Sequence, residues 1–99
     1  MIKCKGIKAN LILPKECDKI FENMSEENFK KYMEIIPEHD VDIGLGEYDG
    51  KLCCYISVCL LAKTKREVNN NYKLFKEIIK SITNKKPYQV YRMDYTQLF

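Results

Sequence analysis

The sequence predicts a small α+β domain whose elements follow in the order β-α-β-β-α-β. Three observations carry this. Two alternating runs flank Asp49-Gly50 within residues 41–61. One long amphipathic stripe runs through residues 64–83. Period-two segments lie at both ends of the chain. Ninety-nine residues make a single domain spanning 1–99, with a thin core.

Residues 2–13 read as the first strand. Ile7, Ala9, Leu11 and Leu13 share one face, lysines are interspersed, and Pro14 ends the run. Residues 15–36 read as helix in two pieces. Cys17, Ile20, Phe21 and Met24 follow i, i+3, i+4, i+7, and Phe29, Tyr32, Met33 and Ile36 repeat that spacing in another phase. Ser25 between them is suited to N-cap the second piece, with Glu26 and Glu27 in its first turn and Pro37 as the stop.

Asp49-Gly50 is a type I′ hairpin signal, because both residues tolerate the positive φ that this turn requires. A two-residue loop pairs Tyr48 with Lys51, Leu45 with Cys54, Ile43 with Ile56 and Val41 with Val58. All the apolar positions then fall on one face, and a slip of one residue would undo this. The other face pairs Gly46 with Cys53, Gly44 with Tyr55 and Asp42 with Ser57, which puts the Tyr55 ring over a glycine. The second strand is apolar on both faces near Cys59–Leu61, as a central strand would be.

Thr64 and Glu67 form a capping box for the last helix. Val68, Tyr72, Phe75, Ile79 and Ile82 form its buried stripe, and Asn84 and Pro87 terminate it. Residues 88–96, rich in tyrosine, read as the final strand. The whole is the ferredoxin-like arrangement: a two-layer sandwich, a four-stranded antiparallel sheet with helices on one face and the first and third strands central. A winged-helix fold is the rival. It would read the split helix as a helix-turn-helix and the hairpin as a wing.

No signal peptide is legible at the N-terminus, and the longest apolar run, Leu52–Ala62, is too short to cross a bilayer, so a cytoplasmic protein without membrane contact is expected. The five cysteines (Cys4, Cys17, Cys53, Cys54, Cys59) contain no C-x-x-C and no zinc-ligand spacing. They are expected as free thiols, with no metal and no cofactor. The single histidine, His39, lies between Glu38 and Asp40 and reads as a solvated loop residue. The alternating Glu38, Asp40 and Asp42 lack the glycine and distal glutamate of a calcium loop. Gly44 and Gly46 lie inside a strand and are no phosphate loop. No nucleophile, base and oxyanion donor can be assigned together, so no catalysis is expected.

Charge is the informative feature. Residues 16–49 hold eleven acidic residues against three lysines, and residues 63–92 hold nine basic residues against Glu67 and Glu77. Lysine excess over arginine, with abundant Asn and Ile, is the composition of an AT-rich genome. The asymmetry along the chain points instead to an interaction surface. Lys65, Lys73, Lys76 and Lys80 share one helix face, with Arg66, Lys85 and Lys86 at its ends and Asn69 beside them. This is the pattern of a nucleic-acid-binding protein that holds the phosphate backbone.

The sheet face without helices would carry Tyr55, Cys53, Cys59 and a tyrosine of the last strand. RNA-recognition motifs stack bases on such a face. Here, however, the stretch Lys51–Val58 keeps only a leading base and one aromatic of that family's octamer. The same face serves equally as a homodimer or protein-partner interface. It suits a protein-interaction module of the kind that phages and other mobile elements use to inhibit host proteins.

Overall fold

The computed structural model describes residues 2–99. Strand β1 (Lys3–Pro14) leads into two short helices, α1 (Cys17–Asn23) and α2 (Glu26–Met33). Strands β2 (His39–Tyr48) and β3 (Lys51–Ala62) form the hairpin, and α3 (Lys65–Thr83) crosses back to β4 (Tyr88–Leu98). The sheet is antiparallel with the order β2-β3-β1-β4. The hairpin partners on both sides of the sheet meet in the expected register. The domain is ferredoxin-like, not winged-helix: α1 and α2 lie on the sheet as two end-to-end pieces of one crossover, and β1 and β3 occupy the centre.

Each break in the chain has a local cause. The Ser25 hydroxyl accepts from the Asn28 N–H at 3.2 Å and starts α2. The Thr64 hydroxyl accepts from the Glu67 N–H at 3.1 Å and starts α3. Asn84 adopts the left-handed conformation (φ 58°) and donates its N–H to the Lys80 carbonyl, which ends α3. Asp49 and Gly50 both have positive φ (52° and 76°), as the tight hairpin requires.

The core lies between the helices and one sheet face. Ile7, Leu11, Ile56, Val58 and Leu60 meet Val68, Tyr72, Phe75 and Ile79, all buried. The short helices cover less than their periodicity implies. Phe21 and Phe29 meet edge to face, but Ile20 and Tyr32 remain exposed. The seven-residue α1 packs on β2 and β3 and the eight-residue α2 packs against α3; helices this short bury one contact line each, and these side chains point off it. Strand β4 extends two residues beyond the expected end, to Leu98. No helix is long and apolar enough to cross a membrane.

Glycines admit two tyrosine rings on the open face. The Tyr55 ring lies over Gly46, its diagonal neighbour, and not over its direct partner Gly44. Gly6, which pairs with Tyr95, leaves room for the Tyr95 ring that no Cβ at that position would permit.

Candidate nucleic-acid interface

The topology converts charge asymmetry in sequence into charge separation in space. The acidic segment builds α1, α2 and β2, and β2 is one edge of the sheet. The basic segment builds α3 and enters β4, the opposite edge.

Between α3 and the start of β4 lies an open groove of 590 Å³ lined by Lys73, Lys76, Lys80, Lys86, Glu77, Pro87, Tyr88 and Gln89. Lys73, Lys76 and Lys80 come from successive turns of one helix face. Lys86 arrives from the loop that the Asn84 cap turns back toward the strand. Among the described residues the one ion pair is Arg92–Asp94, so no carboxylate lies within bonding reach of any groove lysine. Glu77, the groove's own acid, leaves a net charge of +3 there. Tyr88, which also lines the groove, is 64% exposed.

One residue braces this wall from below. Tyr72 is buried on α3, and its hydroxyl donates to Gln89 Oε1 at 2.6 Å, which ties helix to strand under the groove. The Lys76 ammonium sits 4.5 Å from the Tyr72 ring centroid and the Arg92 guanidinium 5.2 Å from it. Lys76 is thereby held in place and loses less freedom on meeting an anion than a free lysine would. Burial raises the Tyr72 hydroxyl above its ordinary pKa, against the opposing pull of Arg92.

The remaining basic candidates do not join this groove. Lys65 lines a separate cleft with Lys5, Gly6, Asp94 and Tyr95. Arg66 is exposed two turns before Lys73 on α3. Lys85 lies on the side toward Cys17, whose thiol feels its charge. Asn69 is already engaged at both ends of its amide: Nδ2 donates to the Lys65 carbonyl at 2.8 Å, and Oδ1 accepts from Arg92 Nη2 at 2.6 Å. Tyr88 and Gln89 were missed by the charge pattern. Their signal is the Pro87-Tyr88 step, which places an aromatic directly after the basic Lys85-Lys86 turn.

On the open face, Tyr55 and Cys59 are half-buried, and Cys53 lies on the same face but is only 7% exposed, beside the Tyr55-covered Gly46. Cys53 therefore offers little to an interface. The neighbouring Cys54 faces the core, where burial, reinforced by Asp18, pushes its thiol up to about 12. All five cysteines are free. His39 opens β2 and donates Nδ1–H to the Ile36 carbonyl at 2.7 Å, a bond that closes the turn after α2.

No protein-family model matches the chain, and no curated protein matches it. Among solved structures it is similar to two designed proteins. The de novo designed protein Foldit4 is 8% identical, covering 97% of this chain and 98% of that one, with a TM-score of 0.44. The de novo designed protein LFR1 1 with ferredoxin fold is 14% identical, covering 98% and 84%, also with a TM-score of 0.44.

Proposed function

We propose that this protein is a non-enzymatic nucleic-acid-binding protein that holds a phosphate backbone in the α3–β4 groove. The observation that carries the reading is the convergence of Lys73, Lys76, Lys80 and Lys86 on one groove without partner carboxylates. Ammonium groups so placed release counterions from a polyanion when it binds. The exposed Tyr88 beside these lysines offers a stacking surface, a combination that suits single strands, where bases are free to stack on an aromatic ring.

The test is fluorescence anisotropy with a labelled single-stranded oligonucleotide at low salt. The wild-type chain binds, the triple variant Lys73→Glu, Lys76→Glu, Lys80→Glu does not, and Tyr88→Ala binds more weakly by roughly tenfold, the stacking contribution of one base. Absence of wild-type binding at low salt removes the reading.

A further inference from the structure

Strand β4 is a sheet edge whose regular stretch, Tyr91–Leu98, lacks the usual protection, since the register shift against β1 that skips Val90 lies before it. Natural edges are blunted by lysines, prolines, bulges, short length or a covering element. This one runs eleven residues, contains no lysine or proline, and carries exposed Tyr88, Tyr91, Met93 and Leu98, with Phe99 just beyond. Its only charges are Arg92 and Asp94. The opposite edge, β2, carries Asp40, Asp42 and Glu47.

The hydrogen-bond phase of β4 follows from its end. Ile2 and Phe99 exchange both backbone hydrogen bonds at 2.9 Å. Antiparallel pairs alternate, so in the continuous register from Lys3–Leu98 to Asn10–Tyr91 the backbone groups of Tyr91, Met93, Tyr95 and Gln97 bond inward to β1. Those of Arg92, Asp94, Thr96 and Leu98 point outward, free to pair with another strand.

We infer that the chain forms a two-fold homodimer by antiparallel pairing of β4 with β4 of a second copy, centred on Met93. Charge selects the centre. With the axis at Met93, Arg92 lies directly opposite Asp94 of the second copy, twice over, and both are outward-bonding positions. Moving the axis one residue either way sets Arg92 against Arg92 or Asp94 against Asp94. On the open face the same register brings Tyr91 against Tyr95 of the second copy and Met93 against Met93, cross-strand pairs of the stabilising kind. Arg92 and Asp94 now hold each other within one strand, Nε to Oδ1 at 2.7 Å and Nη2 to Oδ2 at 3.1 Å. In the dimer these groups form a four-membered charge cluster across the seam. The interface is isologous, and the two sheets join into one of eight strands.

The inference is independent of nucleic acid and is tested without it. Size-exclusion chromatography with light scattering, run over a concentration series, gives the wild-type chain a mass approaching twice 11.7 kDa. Asp94→Arg and Arg92→Asp are both surface changes, and circular dichroism checks that each variant is folded. Each alone sets like charges across the seam and remains monomeric, with association weakened more than tenfold. Mixed in equal amounts, the two variants present complementary strands and recover a dimer. A wild-type chain that stays monomeric throughout overturns the inference. So do folded single variants that still dimerise, which assigns association to another surface such as the open face. A mixture that fails to associate overturns the Met93-centred register.

Discussion

The salt dependence of binding gives the sharpest measure of the groove, because it counts charges. For single strands, log K falls with log salt at a slope of about −0.7 per phosphate neutralised. Four groove lysines engaging four phosphates give a slope near −2.8, and raising salt from ~50 to ~200 mM then weakens binding by roughly 50-fold. Changing Lys73 and Lys80 to Ala leaves Lys76 and Lys86, a slope near −1.4 and a loss of only about sevenfold over the same range. These two lysines stand seven residues apart on α3, ~10 Å along its axis, comparable to the screening length at ~0.1 M salt. They therefore act as nearly independent contacts, and their contributions to the slope add. Two controls sharpen the result. Lys65→Ala with Arg66→Ala lies outside the groove and leaves the slope unchanged. Glu77→Gln removes the one acid among the lysines and raises affinity. The assay is anisotropy titration at four or more salt concentrations. A wild-type slope near zero, or one lowered as much by Lys65 and Arg66 as by Lys73 and Lys80, refutes the groove as the contact surface.

Four further outcomes follow from the same structure. Tyr72→Phe removes the hydroxyl bond to Gln89 but keeps the ring beneath Lys76 and Arg92, so stability falls by ~0.5–1.5 kcal/mol and the melting temperature by roughly 4–8 °C per kcal/mol, read by thermal circular dichroism. At pH 8 a thiol reagent titrates the half-buried Cys4 and Cys59 quickly and Cys17, Cys53 and Cys54 only on unfolding; with its pKa at about 12, Cys54 is thiolate in only ~10⁻⁴ of native molecules. Because that thiol's pKa is raised from an ordinary 9.0, its contribution to stability is complete below pH 9 and is lost as pH climbs toward 12, so Cys54→Ala gives a shallower alkaline limb in a stability-against-pH series. Gly6→Ala places a Cβ inside the Tyr95 ring and forces it off the sheet, costing about 1–3 kcal/mol in urea unfolding; an unchanged midpoint shows that the ring does not lie there.

Most of the fold was legible because its signals are local. The Asp49-Gly50 turn fixed the register of twenty residues at once, and the Thr64 and Asn84 caps bounded α3. What the sequence left open was tertiary. The stripes containing Ile20 and Tyr32 have helical spacing, yet whether a stripe is covered depends on how far a short helix overhangs the sheet. Tyr55 leans on Gly46 because a ring reaches its diagonal neighbour as readily as its direct one. The site shows the same division. Period alone placed Lys73, Lys76 and Lys80 together, but Lys65 shares their helical face and still faces a different cleft, because it lies two turns nearer the start of α3, beside Asp94 and Tyr95 of β4. Asn69 looked free for recognition until Arg92, twenty-three residues away, was seen to occupy its carbonyl.

The two sheet edges predict that assembly through β4, if it forms as inferred, stops at two. An unprotected edge commonly leads to open-ended growth, since every added sheet exposes another edge. Here the first pairing consumes both β4 edges, and the eight-stranded sheet ends on β2 at either side. Each of those ends presents Asp40, Asp42 and Glu47, so two dimers meeting edge to edge oppose like charges along the strand. In the inferred dimer the acidic residues of β2 would lie at the far sides of the joined sheet and oppose its further growth. Replacing Asp40 and Asp42 with Thr, a strand-forming residue, strips that barrier while leaving the β4 seam intact. Light scattering then registers species larger than the dimer, growing with concentration. If the doubly substituted chain remains a discrete dimer at every concentration, β2 is kept apart by its geometry and its glycines and not by its charge.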